Sequence, residues 1–294
     1  MARFGRLALV GGMLLAAFGF SQSPPPQSNP SQATPPPRTQ APQVVRDHPY
    51  TPEQELNLGR ALLGTMLVTA PAIEAPALER YLEATVARFA EEFPQLQFPL
   101  KVTVIAGRAG GATYEPSTLP GGYIAVPADL ILEARREDEF VGMLAHAIAH
   151  SAEGHPTQVI SSSSGGGTAG AAPGVAGTAQ FSTAGASPFP VAMTGIQPSD
   201  EPVADALAAR ALAATGFDPR ALLDYLQRAN NFRRLFAGAG AGDDAALRLD
   251  ELRQVIEEIP ENPETQPSRE ASGEATFDAA QQAVFDAIGQ LRSQ

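Results

Sequence analysis

Two of the four histidines in the chain, His146 and His150, lie four residues apart in the segment Leu144-Ala-His-Ala-Ile-Ala-His150. Residues i and i+4 of an α-helix share one face, so both imidazoles can reach a single metal ion. In the zinc-binding pattern H-E-x-x-H, the residue after the first histidine is a glutamate that accepts a proton during hydrolysis. Here that position holds Ala147. The segment therefore keeps the ligand half of the pattern and lacks its proton acceptor.

Two carboxylates at the expected start of a later helix offer a further ligand. Glu201 and Asp205 are also four residues apart. A structural zinc site usually has four protein ligands, whereas a catalytic one has three and an open position. Two histidines from one helix and a glutamate from a second would give the open arrangement. The alternative, two histidines that merely pack in a core, stays open on these residues alone.

Composition and the N-terminal segment limit the class of protein. The formal net charge is −12 with no basic cluster, so nucleic acid and anionic lipid surfaces are poor partners. Absence of cysteine excludes a lipoprotein anchor and disulfides. Residues 1–21 combine Arg3 and Arg6 with an apolar run too short to span a bilayer, which predicts a secretory signal peptide. We expect a periplasmic or extracellular protein, loosely membrane-associated if this segment stays uncleaved.

The rest of the chain divides by composition. Residues 22–44 are rich in Pro, Gln, Ser and Thr and predict a disordered linker. Residues 45–260 predict one domain that contains a disordered Gly/Ser-rich insertion at 157–197. A loose acidic linker at 261–276 and a C-terminal helix at 277–294 follow.

Hydrophobic periodicity predicts the elements that would position the histidines. Helices are expected at residues 52–67, 76–93, 138–153, 200–215, after Pro219, 243–259 and 277–291. Two short apolar runs, 98–106 and 122–126, predict strands. The fold class is therefore α+β, mostly helical with a small mixed or antiparallel sheet. We expect the histidine helix to be buried beneath the sheet edge, with the carboxylate helix facing it.

Several segments match one protein family in the same order. In chain order they are Thr51-Pro-Glu-Gln-Glu-Leu-Asn-Leu-Gly59, Leu119-Pro-Gly-Gly-Tyr-Ile-Ala-Val126, Glu139-Phe-Val-Gly-Met-Leu-Ala-His146, Glu201-Pro-Val-Ala-Asp205, Gly216-Phe-Asp-Pro219 and Arg248. Together they resemble the zinc metallopeptidase family of HtpX, BepA and the CAAX prenyl endopeptidases. The resemblance covers about residues 50–260 and carries a degenerate H-A-I-A-H in place of H-E-x-x-H.

The resemblance implies roles for the residues that match. His146, His150 and Glu201 would bind one zinc ion. Asp205 would be a supporting carboxylate that orients a ligating histidine and raises its basicity; the alternative is a charge on the helix surface. Substrate would bind beside the second strand, at Gly122, Tyr123 and Ile124. His155 would be a loop histidine near the cleft, without an assigned role.

Two departures from the family pattern bear on activity. Ala147 stands at the position of the missing base, and general acid–base catalysis typically contributes about 10²–10⁴-fold. Glu115 stands where the family usually has asparagine, ahead of Leu-Pro-Gly-Gly. It would replace the lost base from across the cleft, or it is simply an exposed loop glutamate.

Three functions remain consistent with the sequence. The first is an exported zinc metalloendopeptidase-family protein that acts on polypeptides but is impaired by Ala147, gripping an extended chain at the sheet edge beside residues 123–126. The second is a working endopeptidase with a substitute base. The third is a non-catalytic, chaperone-like polypeptide-binding protein, with or without zinc. A substitution introduced to trap an inactive form would also leave alanine here, although the chain carries no tag.

Overall fold

The computed structural model describes residues 50–106, 115–158, 196, 198–237, 243–260 and 276–293. The helices are α1 (Pro52–Thr69), α2 (Pro76–Ala90), α3 (Ala128–Glu133), α4 (Glu137–Glu153), α5 (Glu201–Ala214), α6 (Arg220–Ala237), α7 (Asp243–Glu258) and α8 (Phe277–Arg292). The strands are β1 (Lys101–Ile105), β2 (Ser117–Leu119) and β3 (Tyr123–Pro127). The predicted signal peptide, the proline-rich linker, nearly all of the Gly/Ser-rich insertion and the acidic linker lie outside the described residues and stay predictions.

The sheet in the described part of the chain is mixed. Its strand order is β1-β3-β2, with β1 parallel to β3 and β2 antiparallel to it. Helices surround this small sheet, so the α+β prediction is confirmed. β2 was not predicted as a strand of its own, because three residues are too few to show an alternating pattern.

A tight turn at Pro120–Gly122 reverses the chain between β2 and β3. Gly121 and Gly122 have φ of 71° and 80°, a region that disfavours side chains. A Cβ on Gly121 would lie 2.8 Å from the Cα of Leu56, and one on Gly122 would lie 2.7 Å from the carbonyl oxygen of Pro99. Glycine is therefore required here, because the turn packs directly on neighbouring backbone.

The histidine helix α4 forms as its sequence predicts. Three acidic residues occupy its first turn, where the helix dipole favours negative charge. Gly154, with φ of 73°, ends it in the left-handed conformation typical of a helix C-terminus. Most of its residues are buried, and the Thr118 hydroxyl on edge strand β2 donates a hydrogen bond to the Ala147 carbonyl at 3.3 Å. As expected, the helix lies against the edge of the sheet, and α5 packs against it.

Most other helix boundaries match the prediction to within a few residues. The capping box at Thr51 and Gln54 starts α1 as expected. α2 ends at Ala90, three residues before the predicted end, and the short helix α3 was not predicted. α8 packs on α2 and α3. The rings of Tyr81 on α2, Phe140 on α4 and Phe277 on α8 form a cluster with centroids 5.6–6.0 Å apart. Within the described residues, no helix is both long enough and apolar enough to cross a bilayer.

Candidate metal centre

Three side chains from two helices converge on one point. His146 and His150 come from α4 and Glu201 from the first turn of α5, and one ligand atom from each lies within 4.8 Å of the others. The two histidine Nε2 atoms are 3.0 Å apart. Ligand nitrogens about 2.0–2.1 Å from a tetrahedral zinc ion would be about 3.3 Å apart. The observed separation is close to that value.

Glu201 completes the donor set. Its Oε2 lies 3.4 Å from Nε2 of His146, and its Oε1 lies 3.7 Å from Nε2 of His150. Oε2 is buried and also lies 2.8 Å from Nη1 of Arg248. A carboxylate whose two oxygens each face an imidazole nitrogen is a suitable ligand for a divalent cation. Two nitrogens and one carboxylate therefore fit a metal ion such as zinc.

Asp205 lies behind His146, one turn further along α5. Its Oδ1 is 2.8 Å from Nδ1 of His146, and the residue is only 1% exposed. A carboxylate at this distance holds the imidazole proton on Nδ1, so Nε2 keeps its lone pair for a metal. The structure thus places Asp205 where its expected supporting role requires it, and not on the helix surface.

Arg248 from α7 binds both carboxylates of α5. Its Nε and Nη2 lie 2.6 and 2.9 Å from the two oxygens of Asp205, and its Nη1 lies 2.8 Å from Oε2 of Glu201. Burial alone would raise the pKa of Asp205 and of Glu201, but contacts with Arg248 and His146 lower both pKa values below their usual range. His146 and Arg248 together therefore favour the ionised form of both carboxylates.

The two candidate histidine ligands have different electrostatic surroundings. Burial tends to lower the pKa of His146, but hydrogen bonds to Asp205 and Glu201 outweigh it and raise that pKa to about 9. Burial and the nearby His146 lower the pKa of His150 to about 4. Since metal binding requires a neutral imidazole, a cation at this site must displace a proton from His146.

His155 is closer to the site than its sequence position suggested. It lies in a short helical turn directly after Gly154 and is only 6% exposed. Its Nδ1 is 2.9 Å from Nδ1 of His150. Burial lowers the pKa of His155. Sequence analysis assigned it no role, although a glycine between the helix and this histidine signalled that the chain could turn back here.

Ala147 and Glu115 define the catalytic side of the site. Ala147 directly follows His146 in the sequence and is buried. Its side chain is a methyl group, which cannot accept a proton. Glu115 is half-buried and begins the segment that leads into β2. Its negative charge contributes to the raised pKa of Arg248, so it lies close enough to influence the site. Its expected role as substitute base stays a prediction.

Of the residues expected to bind substrate, Gly122 ends the turn before β3, and Tyr123 and Ile124 lie on β3, the central strand. Gly122, Tyr123 and Ile124 are buried, and β3 pairs with a strand on each side. Residues 123–125 of β3 are therefore already paired on both sides, and the expected substrate contacts at Gly122, Tyr123 and Ile124 stay a prediction. The edge strand on the other side of β3 from β1 is β2, and it contacts the histidine helix α4.

Comparison with known proteins agrees with this geometry. A sequence model of Peptidase family M48 matches residues 76–271, more than half of the chain. A protein of Vibrio cholerae serotype O1 named "Putative beta-barrel assembly-enhancing protease" is 29% identical over 112 residues, which are 38% of this chain and 22% of that protein. The match thus spans less than a quarter of that relative's length. The family match includes all three candidate metal ligands.

Proposed function

Because the chain belongs to Peptidase family M48, we propose that it is an exported zinc-binding protein that holds extended polypeptides and hydrolyses them poorly. The observation that carries the proposal is the convergence of His146, His150 and Glu201 beside an alanine where a proton acceptor belongs. Zinc, when bound, would polarise a peptide carbonyl and activate water near neutral pH.

The chain's own residues would hold the metal firmly. Asp205 orients His146, and Arg248 fixes both Asp205 and Glu201. None of these groups replaces a general base. Asp205 is already bound by both Arg248 and His146, and Glu201 would be occupied as a metal ligand. Loss of such a base typically removes about 10²–10⁴-fold of rate. The site therefore supports metal binding more strongly than turnover.

The edge of β2 is the proposed polypeptide-binding surface. β2 pairs with β3 on one side, and the Thr118 hydroxyl ties it to the Ala147 carbonyl beside the metal ligands. An extended chain that adds to a sheet edge gains main-chain hydrogen bonds without needing a particular sequence. A polypeptide bound along β2 would pass close to His146 and His150.

Export is the second part of the proposal. It is supported by the basic and apolar character of residues 1–21, which suits a signal peptide. The Vibrio cholerae relative is named for β-barrel assembly. A periplasmic client with unpaired strands would suit a protein that binds polypeptides at a sheet edge.

The test uses the zinc-loaded full chain and a fluorescently labelled, permanently unfolded polypeptide. We expect saturable binding by fluorescence anisotropy, little cleavage by mass spectrometry, and slower hydrogen exchange at residues 117–119 than in the free protein. Residues 101–105, on the opposite edge of the sheet, serve as the internal control. No binding would contradict the proposal, and so would protection confined to β1.

A working endopeptidase is the second candidate, favoured by the effect of Glu115 on Arg248. In that case wild type would cleave the polypeptide efficiently and Glu115→Gln would abolish cleavage. Glu74→Gln, a substitution of an exposed glutamate, is the matched control. Cleavage left unchanged by Glu115→Gln would eliminate Glu115 as the base.

A further inference from the structure

We propose that His155 is a positioning residue for the metal centre. Its Nδ1 accepts a hydrogen bond from Nδ1–H of His150 and thereby orients Nε2 of His150 towards the metal. This inference rests on the proposed zinc binding. It assigns a role to a histidine that lies outside the set of converging ligands.

The backbone after α4 brings the two rings together. Gly154 adopts φ of 73°, and the chain turns so that His155 packs back against the helix it has just left. The imidazole ring centroids of His150 and His155 are 5.1 Å apart, and their Nδ1 atoms are 2.9 Å apart. Both residues are almost fully buried, at 1% and 6% exposure. This is a hydrogen-bonding distance in a site largely closed to solvent.

The chemistry of imidazole then fixes both protons. Nε2 of His150 faces His146 and Glu201, so it is the atom that must offer a lone pair to the metal. A neutral imidazole with a free Nε2 carries its proton on Nδ1. That proton lies between two Nδ1 atoms, so His155 must accept it and carry its own proton on Nε2. One contact therefore sets the tautomer of both rings.

A neutral acceptor suits the charge of this site. His146 is oriented by the Asp205 carboxylate, and Glu201 adds a second negative charge that Arg248 must also balance. A carboxylate behind His150 would add a third buried negative charge. An imidazole orients the ring through the same kind of hydrogen bond without that charge.

The test compares two variants of the full chain that are matched in size. His155→Asn keeps an oxygen acceptor near the position of Nδ1, whereas His155→Leu has none. Zinc affinity is measured by competition with a chelator. Loss of a partner that orients a ligand typically weakens metal binding by about 10–100-fold, so His155→Leu should lose that much and His155→Asn should bind nearly as tightly as wild type.

Nitrogen-15 NMR of the zinc-loaded wild type gives a second readout. We expect a scalar coupling between the Nδ1 atoms of His150 and His155, transmitted through the shared hydrogen bond. Wild-type affinity in His155→Leu would overturn this inference alone, as would equal losses in both variants, since packing would then explain them. If wild type itself binds no zinc, the proposed function falls together with this inference.

Discussion

Oδ1 of Asp205 lies 2.8 Å from Nδ1 of His146, while its other oxygen lies 2.6 Å from Nε of Arg248. One buried carboxylate thus joins α7 to the histidine helix through α5. The arrangement fixes the orientation of His146 before any metal arrives, which reduces the ordering that metal binding would require. Neutralising Asp205 should therefore weaken the site without removing a ligand.

We expect Asp205→Asn to weaken zinc binding about 10–100-fold, the usual effect of removing a partner that orients a ligand. The amide has the size of the carboxylate but stabilises the Nδ1–H of His146 less well. Asp250→Asn, an exposed position on the same helix as Arg248, is the matched control. Zinc titration with a chelator in competition measures both, and equal affinities in the two variants would count against the role of Asp205.

Removing the Arg248 side chain should lower the free energy of unfolding much more than removing an exposed arginine does. Arg248→Met leaves Glu201 and Asp205 as buried carboxylates without their cation, and breaking such a pair costs about 3–5 kcal/mol of unfolding free energy. Arg253→Met, exposed one turn later, should cost less than about 0.5 kcal/mol. The measurement is urea unfolding in the presence of a chelator.

Zinc should restore part of the stability lost in Arg248→Met, because a cation bound by Glu201 neutralises one of the two carboxylates. A ligand at 100 times its dissociation constant stabilises the native state by about 2.7 kcal/mol. A zinc effect of zero on this variant, with zinc still stabilising wild type, would show that Arg248 is needed to form the site and does not merely balance its charge.

Restoring the missing base should raise activity. We expect Ala147→Glu to hydrolyse an unfolded polypeptide about 10²–10⁴-fold faster than wild type. Ala147→Gln has the same size and no basic oxygen, so it should stay at the wild-type rate. Ala147 is buried, so both variants must first be shown to fold and bind zinc. Equal rates for two folded, zinc-loaded variants would mean that the site lacks more than its base.

Acid stability should depend on Glu139, which receives two hydrogen bonds of 2.8 Å from Arg228 and one of 2.8 Å from the amide of Arg135. Burial tends to raise the pKa of Glu139, but these hydrogen bonds lower it below its usual value. A lowered folded-state pKa means that the stabilisation is complete above the unfolded-state pKa of about 4.3 and is lost as pH falls through the folded-state pKa.

Urea unfolding of wild type and Glu139→Gln from pH 7 downwards checks this. We expect the variant to be less stable by about 1–3 kcal/mol near pH 7, the cost of weakened charged hydrogen bonds. The difference should shrink as pH falls below about 4.3. A difference that is constant with pH would show that the Glu139 carboxylate does not titrate differently in the folded state.

The sequence predicted the parts of this molecule that depend on local pattern. The periodicity of α4, the capping box at Thr51 and the glycine after α5 are signals carried by a few neighbouring residues. The ligand trio could also be predicted, because i, i+4 pairs on two helices and a family resemblance point to the same residues.

Other features of the molecule could not be predicted from the sequence, because they depend on contacts that form only in the folded chain. β2 is too short to show a period, and the central position of β3 depends on pairing between strands distant in sequence. The expected substrate contacts at Gly122–Ile124 stay a prediction for that reason, since the sequence alone does not show which strand lies at the sheet edge. The contact between His155 and His150 depends on the turn at Gly154, which no spacing rule for helices describes.

The central claim is that this chain holds a zinc ion, and native mass spectrometry of the full chain tests it most directly. We predict about one zinc per chain in wild type, and loss of zinc in Glu201→Ala, because two histidines alone leave the site incomplete. No zinc in wild type, or zinc retained in the variant, would contradict the account.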